Sequence, residues 1–400
     1  MRHQLFLNPR SRPSIEGRAG SVVSPIDFHR TVPGYVATPL MDLPAVAERL
    51  GVRRVLLKDE SMRMGLPSFK MLGASWATAF AVQRAWLPGV EEVLSPAELA
   101  ERIPNRAAKR LVAATDGNHG RGVARMAGLL GLRCLIFVPA GTVASRVSGI
   151  ESEGAEVRVV DGSYDDAIRR SAQEADAETV VVSDTSWDGY EEIPEQVTRG
   201  YSTLFAEVDE ALGAAGLTPS HVVMQAGVGS FAAAGLLHYR AAGRHAHPIA
   251  VIVEPLQANC LFRSAQAGEV TEAPPPHEST MAGLNCGLPS LLVWPIIDQT
   301  ADAFVAIDDD AAHEAMRLLA TCGVVAGESG AAGLGGILAL AGQGSSEAAR
   351  LGLTPDAVVL VVNTEGATDP VNYALQVGMP ADQVRAEREN RRADSGAVML

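Results

Sequence analysis

Runs of consecutive apolar residues alternate with segments of helical periodicity along most of the chain. Four short runs, most of them rich in β-branched residues, lie at residues 111–114, 134–138, 157–160 and 179–182. The segments between them, at 121–130, 143–153 and 164–174, space their apolar residues as an amphipathic helix does. Strands that alternate with helices in this way predict βαβ units and a parallel sheet.

A second set of apolar runs lies at 221–224, 249–253 and 358–362, with helical segments such as 311–320 between them. Their continuous apolar character is typical of strands covered on both faces of a sheet. The segment 35–57 is expected to join this second sheet, so that the first sheet becomes an insertion. The pattern therefore predicts a large domain of residues 1–80 and 187–400 and an inserted smaller α/β domain of residues 81–186.

Charge and composition narrow the range of partners and compartments. Lys and Arg total 33 and Asp and Glu total 47, which gives a net charge of -14 and argues against a nucleic-acid partner. No run approaches the roughly 20 apolar residues of a membrane span, and the first apolar run is too short for a signal peptide. Four scattered cysteines without a C-x-x-C pair favour a reducing compartment. We expect a cytoplasmic protein that acts on a small molecule.

Lysine is rare in this chain, which makes each lysine informative. Only Lys58, Lys70 and Lys109 are lysines, so arginine supplies the other 30 of the 33 basic residues. Lys70 lies in the uncharged stretch Gly-Leu-Pro-Ser-Phe-Lys-Met-Leu-Gly at 65–73. A desolvated amine loses its proton more readily and can add to an aldehyde, whereas guanidinium cannot. We interpret Lys70 as a Schiff-base lysine. The alternative is a lysine that snorkels at a helix start.

Two glycine-containing loops connect predicted strands to predicted helices. Residues 115–122 read Thr-Asp-Gly-Asn-His-Gly-Arg-Gly, and residues 225–231 read Gln-Ala-Gly-Val-Gly-Ser-Phe. Backbone amides at such a junction bind carboxylate or phosphate groups. The second loop also resembles the start of a dinucleotide-binding turn, with Glu254 placed like its ribose-binding acid. Ala232 stands where the third glycine of that motif belongs, so a single phosphate is the better interpretation.

A reactive lysine, a carboxylate site and a phosphate site together suit pyridoxal phosphate (PLP) acting on an amino acid. The chain resembles the fold-type II PLP enzymes, the group of the tryptophan synthase β-subunit and threonine dehydratase. The resemblance rests on these segments in chain order: Thr-Pro-Leu at 38–40, Leu-Lys-Asp-Glu at 57–60, Ser-Phe-Lys at 68–70, Gly-Asn-His-Gly at 117–120 and the loop at 227–230.

A narrower resemblance is to the diaminopropionate ammonia-lyases. It rests on Asp116 before Gly-Asn-His, on Asp-Thr-Ser-Trp-Asp-Gly-Tyr at 184–190, on Ser-Thr-Met-Ala-Gly-Leu at 279–284 and on Asn-Thr-Glu-Gly-Ala-Thr-Asp-Pro at 363–370. Pro67 and Ser68 stand where Asn-Ala is expected in the nearest lyases. This difference affects the inferred substrate more than the inferred cofactor.

The resemblance implies a fold and a set of residue roles. The fold is two doubly wound, mostly parallel α/β domains with PLP in the cleft between them, and the assembly is a homodimer. Lys70 would carry PLP and act as a base at one face of the substrate Cα, with Asp116 at the opposite face for the D-isomer. Asp184 would support that second route or bind the distal amine.

The remaining roles concern binding. Asn118 would contact the phenolic oxygen of PLP, and Thr364 is the nearest candidate for the pyridine nitrogen. The amides of Gly227, Val228, Gly229 and Ser230 would hold the phosphate. Thr115, Asp116, Gly117 and His119 would bind the substrate.

The implied reaction is loss of ammonia from D- or L-2,3-diaminopropionate, giving pyruvate and a second ammonia. Several alternatives stay open from the residues. They are a β-replacement synthase, a serine or threonine dehydratase-like enzyme, a nicotinamide-dependent oxidoreductase built on the loop at 227–230, and a non-catalytic amino-acid-binding protein.

Overall fold

The computed structural model describes residues 1–14, 24–115, 117–242, 244, 247–341 and 345–395. Its strands are β1 (His3–Leu7), β2 (Leu40–Asp42), β3 (Arg54–Asp59), β4 (Arg110–Ala114), β5 (Arg133–Pro139), β6 (Glu156–Val160), β7 (Thr179–Val181), β8 (His221–Gln225), β9 (Ile249–Pro255), β10 (Ala303–Ile307) and β11 (Val358–Asn363).

Its helices are α1 (Pro25–His29), α2 (Pro44–Leu50), α3 (Lys70–Trp86), α4 (Pro96–Arg102), α5 (Asn118–Leu130), α6 (Ala144–Glu151), α7 (Tyr164–Ala172), α8 (Glu192–Gly200), α9 (Ser202–Ala215), α10 (Ser230–Tyr239), α11 (Cys260–Ala267), α12 (Trp294–Thr300), α13 (Asp309–Thr321), α14 (Glu328–Leu340), α15 (Ser346–Arg350), α16 (Pro370–Val377) and α17 (Ala381–Ser395).

The chain divides into two compact units. Unit 1 comprises Met1–Arg18, Ala37–Met62 and Phe205–Leu400, and unit 2 comprises Ala19–Val36 and Arg63–Leu204. These bounds differ from the predicted insertion at 81–186, because α3 packs against α5 and α8 of unit 2 and therefore groups with them.

Unit 1 is built on a seven-stranded sheet in the order β1-β10-β9-β8-β11-β3-β2. The inner strands are parallel, and β1 and β2 join antiparallel at the two edges. All residues of β8, β10 and β11 are buried, as expected for strands covered on both faces. Helix α14 is rich in alanine and glycine and packs closely against α13 and the sheet.

Unit 2 contains a four-stranded parallel sheet in the order β6-β5-β4-β7. A core on this sheet includes Val112, Leu135, Phe137 and Ile168, the last from α7. Strand β6 lies at the edge, and its residues are half-buried or exposed.

The predicted fold class, α/β with two doubly wound and mostly parallel sheets, is confirmed. Every predicted strand corresponds to an observed one, and segment 35–57 contributes β2 and β3 to the larger sheet as predicted. Strands β1 and β10 were not predicted. Within the described residues, no helix is both long and apolar enough to cross a membrane.

Candidate active site

In unit 2, the loops that follow β4 and β7 lie close together because these two strands are neighbours in the sheet. Strands β4 and β7 pair in parallel, so their carboxyl ends lie at the same edge. Thr115 follows β4, and Asp184 follows β7 three residues after Val181. Ligands of open α/β sheets bind at this edge. The topology thus brings together loops that are about 70 residues apart along the chain.

Lys70, the first residue of α3, forms an ion pair with Asp184, a second candidate catalytic residue. Its Nζ lies 2.8 Å from Asp184 Oδ2. The Tyr164 hydroxyl, at the start of α7, donates to Asp184 Oδ1 at 3.3 Å. His119 Nδ1 lies 4.0 Å from Asp184 Oδ2. Asp184 is therefore a common neighbour of an amine, a phenol and an imidazole.

The orientation of His119 follows from its second nitrogen. His119 Nε2 lies 2.8 Å from the carbonyl oxygen of Val182, which can only accept, so Nε2 carries a hydrogen. Nδ1 is therefore the ring nitrogen that faces Asp184. The His119 side chain is only 1% exposed, so the packing around it keeps the ring in this orientation.

Asp184 is held in its ionised form. Burial by itself would raise the pKa of Asp184, but the charges of Lys70 and His119 and hydrogen bonds from Lys70 and Tyr164 hold that pKa well below its usual range. A carboxylate with this pKa stays charged throughout the neutral range and serves as a fixed negative charge beside the Lys70 amine.

The expectation that Lys70 is buried in apolar surroundings is wrong for this structure. Its side chain is 29% exposed and has a carboxylate partner. The fully buried lysine is Lys58, 1% exposed, whose Nζ donates to Glu207 Oε2 at 2.6 Å and to the carbonyl oxygen of Thr38 at 2.7 Å. The uncharged sequence around Lys70 hid its partner because Asp184 is 114 residues away in the chain.

The loop that carries Asp184 is fixed by aromatic residues. The Tyr190 hydroxyl donates to the carbonyl oxygen of Val181 at 2.8 Å and accepts from the Ser183 amide at 3.0 Å. Its ring stacks on Trp187 with the centroids 4.0 Å apart. Burial raises the pKa of Tyr190 above its usual value, so it stays neutral. Tyr190 and Trp187 therefore hold the turn around Asp184.

Two amides of the loop at 115–122, which was predicted to bind a carboxylate, donate to the side chain of Thr115 in the same loop. Thr115 Oγ1 accepts from the Gly117 amide at 3.0 Å and from the Gly120 amide at 3.3 Å. Asn118 is the first residue of α5, as a helix-terminal anion site requires. Asp116 lies outside the described residues.

The predicted phosphate loop lies at the carboxyl end of β8 in unit 1. Gly227, Val228 and Gly229 connect β8 to α10, whose first residue is Ser230. Gly229 has φ 106°, and a Cβ on it would lie 2.5 Å from Ile297 Cδ1. Only glycine fits this backbone, which turns the chain so that the start of α10 offers its amides.

Glu254 is not available to a nucleotide. It is fully buried and accepts from the amides of Leu261 at 2.8 Å and Phe262 at 2.7 Å, at the start of α11. Burial raises its pKa to about 8, although these two amides act in the opposite direction. The dinucleotide interpretation needs Glu254 as the ligand of a ribose. Because the carboxyl group of Glu254 instead caps α11, it does not support that interpretation.

Thr364 follows β11, the neighbour of β8 in the sheet. Its side chain is buried, and its Oγ1 accepts from Gln225 Nε2 at 2.9 Å. Of the predicted residues, Lys70, His119 and Asp184 therefore meet in unit 2, and Thr364 is joined to the residue that leads into the phosphate loop in unit 1.

Sequence reasoning missed two tyrosines near Lys70. Tyr164 is the N-terminal residue of a predicted helix, and nothing local indicates that its hydroxyl contacts Asp184. Tyr201 is buried, its ring packs 4.6 Å from that of Phe69, and Lys70 and Asp184 are the charges that act on its hydroxyl. Both contacts depend on helix packing, for which a single sequence gives no signal.

Comparisons with known proteins identify the family of the chain. The family described as "Pyridoxal-phosphate dependent enzyme" matches residues 32–365. The diaminopropionate ammonia-lyase of Escherichia coli (strain K12) is 40% identical over 359 residues, which cover 86% of this chain and 88% of that protein. The diaminopropionate ammonia-lyase of Salmonella typhimurium (strain LT2) is 38% identical over 379 residues, with 90% and 92% covered.

A solved structure of the Escherichia coli enzyme, in complex with an aminoacrylate-PLP azomethine reaction intermediate, superimposes with a TM-score of 0.83 at 36% identity. The match covers 94% of this chain and 97% of that chain.

Proposed function

Because the chain belongs to the pyridoxal-phosphate-dependent enzymes, and among them to the diaminopropionate ammonia-lyases, we propose that it removes ammonia from 2,3-diaminopropionate. The products are pyruvate and two molecules of ammonia. The observation that carries this proposal is the pair of Lys70 and Asp184, in which the amine that can bind the cofactor lies 2.8 Å from an ionised carboxylate.

The residues present fit PLP. Lys70 offers a primary amine for the aldehyde of the cofactor, and the loop at 227–230 offers helix-terminal amides for a phosphate. The positive φ of Gly229 turns the chain between β8 and α10, so that the amides at the start of α10 are offered to a ligand. Thr364 offers a neutral hydroxyl for the ring nitrogen, and Asn118 offers an amide for the phenolic oxygen.

When bound, the cofactor ring accepts the electron pair that remains at Cα after a proton is removed. The protein must then supply a base, orient the Cα–H bond and bind the amine that leaves. We assign the base for the L-isomer to Lys70. Asp184 stabilises the ammonium that Lys70 becomes when it takes the proton, because the two groups are already in contact.

The carboxylate of Asp184 also suits a diamine. The substrate carries a second amine, which is cationic at neutral pH and must leave as ammonia. A carboxylate that stays ionised can bind this cation, and the Tyr164 hydroxyl, which donates to Oδ1, orients the carboxylate. We propose that Asp184 alternates between the Lys70 amine and the β-amine of the substrate.

Asp116 is proposed as the base for the D-isomer, on the face of Cα opposite Lys70. Replacement of Asp116 by asparagine keeps the size of the side chain and removes its basicity. We expect turnover of the D-isomer to fall by roughly 10²-fold or more and that of the L-isomer by less than about tenfold. Initial rates of pyruvate release from each isomer measure the difference. Equal losses for the two isomers would contradict two bases on opposite faces.

Elimination and β-replacement are separated by the products. Purified enzyme is incubated with D- or L-2,3-diaminopropionate alone, and pyruvate and ammonia are quantified. We expect one pyruvate for two ammonia, and no change in this ratio when thiols or amines are added. A β-substituted amino acid formed from an added thiol, at the expense of pyruvate, would instead identify a synthase. Faster pyruvate release from serine or threonine than from diaminopropionate would identify a dehydratase.

We also propose that the enzyme is a cytoplasmic homodimer. All four cysteines are free thiols, which supports a reducing compartment. The dimer rests on the family resemblance.

A further inference from the structure

Gln225 is a buried amide at the end of β8 with an unusual set of neighbours. Its side-chain nitrogen lies 2.9 Å from Thr364 Oγ1, 3.0 Å from the carbonyl oxygens of Ser329 and Val362, and 3.1 Å from that of Gly330. The residue is 1% exposed, so no bulk water competes for these contacts. One side chain thus joins β8, β11 and the first turn of α14.

These neighbours fix which end of the amide faces Thr364. The three carbonyl oxygens can only accept, so the amide nitrogen, and not the oxygen, must face them. The Gln225 oxygen points away and has no hydrogen-bond partner among the described residues. A Cβ on Gly333 of α14 would lie 2.9 Å from this oxygen, so the glycine provides the space that the orientation needs.

The direction of the Gln225 amide decides what the Thr364 hydroxyl can do. A hydroxyl has one hydrogen and two acceptor positions, and the amide of Gln225 occupies one acceptor position. The hydrogen cannot point at Gln225. Its alternative acceptor, the Ser329 carbonyl oxygen, lies 3.5 Å from Thr364 Oγ1, a distance at which a hydrogen bond is weak.

We propose that Gln225 is a positioning residue that keeps Thr364 a hydrogen-bond donor toward the ring nitrogen of the cofactor. A nitrogen that accepts from a neutral hydroxyl stays unprotonated. This inference rests on the proposed function, because it takes the ring nitrogen of PLP as the acceptor. It adds that Gln225, two residues before the phosphate loop at 227–230, acts on the ring nitrogen of the same cofactor through Thr364.

The test measures the protonation state of the PLP ring nitrogen directly. Holoenzyme is prepared with PLP labelled with ¹⁵N at the ring nitrogen, and its NMR chemical shift and the PLP dissociation constant are measured. The variants are Thr364→Val, Thr364→Ser, Gln225→Met and the double variant Gln225→Met with Thr364→Val. Thr364→Ser is the matched control because it keeps the hydroxyl. The melting temperature of each apo variant reports purely structural effects.

We expect an unprotonated ring nitrogen in the unsubstituted enzyme and in Thr364→Ser. Thr364→Val and Gln225→Met should both move the ¹⁵N resonance in the same direction and weaken PLP binding by about tenfold. The double variant should move it no further than Thr364→Val alone, because Gln225 acts through Thr364.

Three results would overturn the inference. They are a protonated ring nitrogen in the unsubstituted enzyme, a Thr364→Val resonance that does not move, and a Gln225→Met resonance that stays in place while Thr364→Val moves it. If Gln225→Met does not fold, Gln225→Leu takes its place. Leucine also removes the amide that donates to Thr364 Oγ1, so the same shift is expected, and an unchanged resonance would overturn the proposal. Failure of the unsubstituted enzyme to bind PLP would instead sink the proposed function itself.

Discussion

Replacing Lys70 by alanine is expected to abolish pyruvate formation and to remove the yellow colour of the bound cofactor. The loss should be at least roughly 10⁴-fold, because one amine both carries the cofactor and acts as a base. The measurement combines turnover of diaminopropionate with the visible absorbance of the purified protein. Partial recovery of activity by added small amines would show that the variant is folded.

The lysine content of the chain makes this prediction unusually specific. Borohydride reduction of the holoenzyme fixes the cofactor on its lysine, and mass spectrometry can then place it at only three positions, Lys58, Lys70 or Lys109. We expect Lys70. Lys70→Arg separates charge from nucleophilicity, since it keeps a cation for Asp184 but cannot bond to the aldehyde. A cofactor found on Lys58 or Lys109, or an active Lys70→Arg enzyme, would contradict the assignment.

Replacing Asp184 by asparagine is expected to have the next largest effect. The amide keeps the shape of the side chain and removes the charge beside Lys70 Nζ. We expect kcat/KM for diaminopropionate to fall by roughly 10²- to 10⁴-fold while PLP stays bound. Tyr164→Phe is the matched control, because it removes one hydrogen bond to Asp184 and leaves its charge. Its loss should be smaller.

A comparison of two substrates then shows whether Asp184 acts on the β-amine or only on Lys70. β-Chloroalanine has a leaving group that is not an amine, so a carboxylate that binds the β-amine does not help it. If Asp184 binds this amine, Asp184→Asn should impair diaminopropionate turnover much more than β-chloroalanine turnover. Equal losses would mean that Asp184 acts only through Lys70. Because the pKa of Asp184 is held low, protonation of Asp184 should not cause the acid limb of the pH profile of the unsubstituted enzyme.

The strands and the loops that follow them could be predicted because their signals are local. The apolar runs at 134–138, 221–224 and 358–362 lie within β5, β8 and β11. Both glycine-containing loops lie between a strand and a helix as predicted. Strand β1, at one edge of the seven-stranded sheet, and its neighbour β10 were missed, because their short apolar runs carry no local signal that they form strands.

The partners of the candidate residues could not be predicted, and Lys70 is the clearest example. Its neighbours in sequence are uncharged, and that suggested a buried amine. The structure instead gives it a carboxylate from a loop after β7, whereas Lys58, in a charged stretch of sequence, is the lysine that is fully buried. The contacts of Tyr164 with Asp184 and of Gln225 with Thr364 are of the same kind.

By itself the sequence determined the alternation of strands and helices, the two glycine-containing loops between them and a lysine suited to PLP. These properties follow from the spacing of apolar residues and from side-chain chemistry, which are fixed by residues close together in the chain. Only the tertiary structure decided that Asp184 pairs with Lys70, that His119 presents Nδ1 to that carboxylate and that Gln225 donates to the Thr364 hydroxyl. The physical reason is that these contacts depend on which strands are neighbours in a sheet, and strand order is set by packing between residues 60 to 140 positions apart.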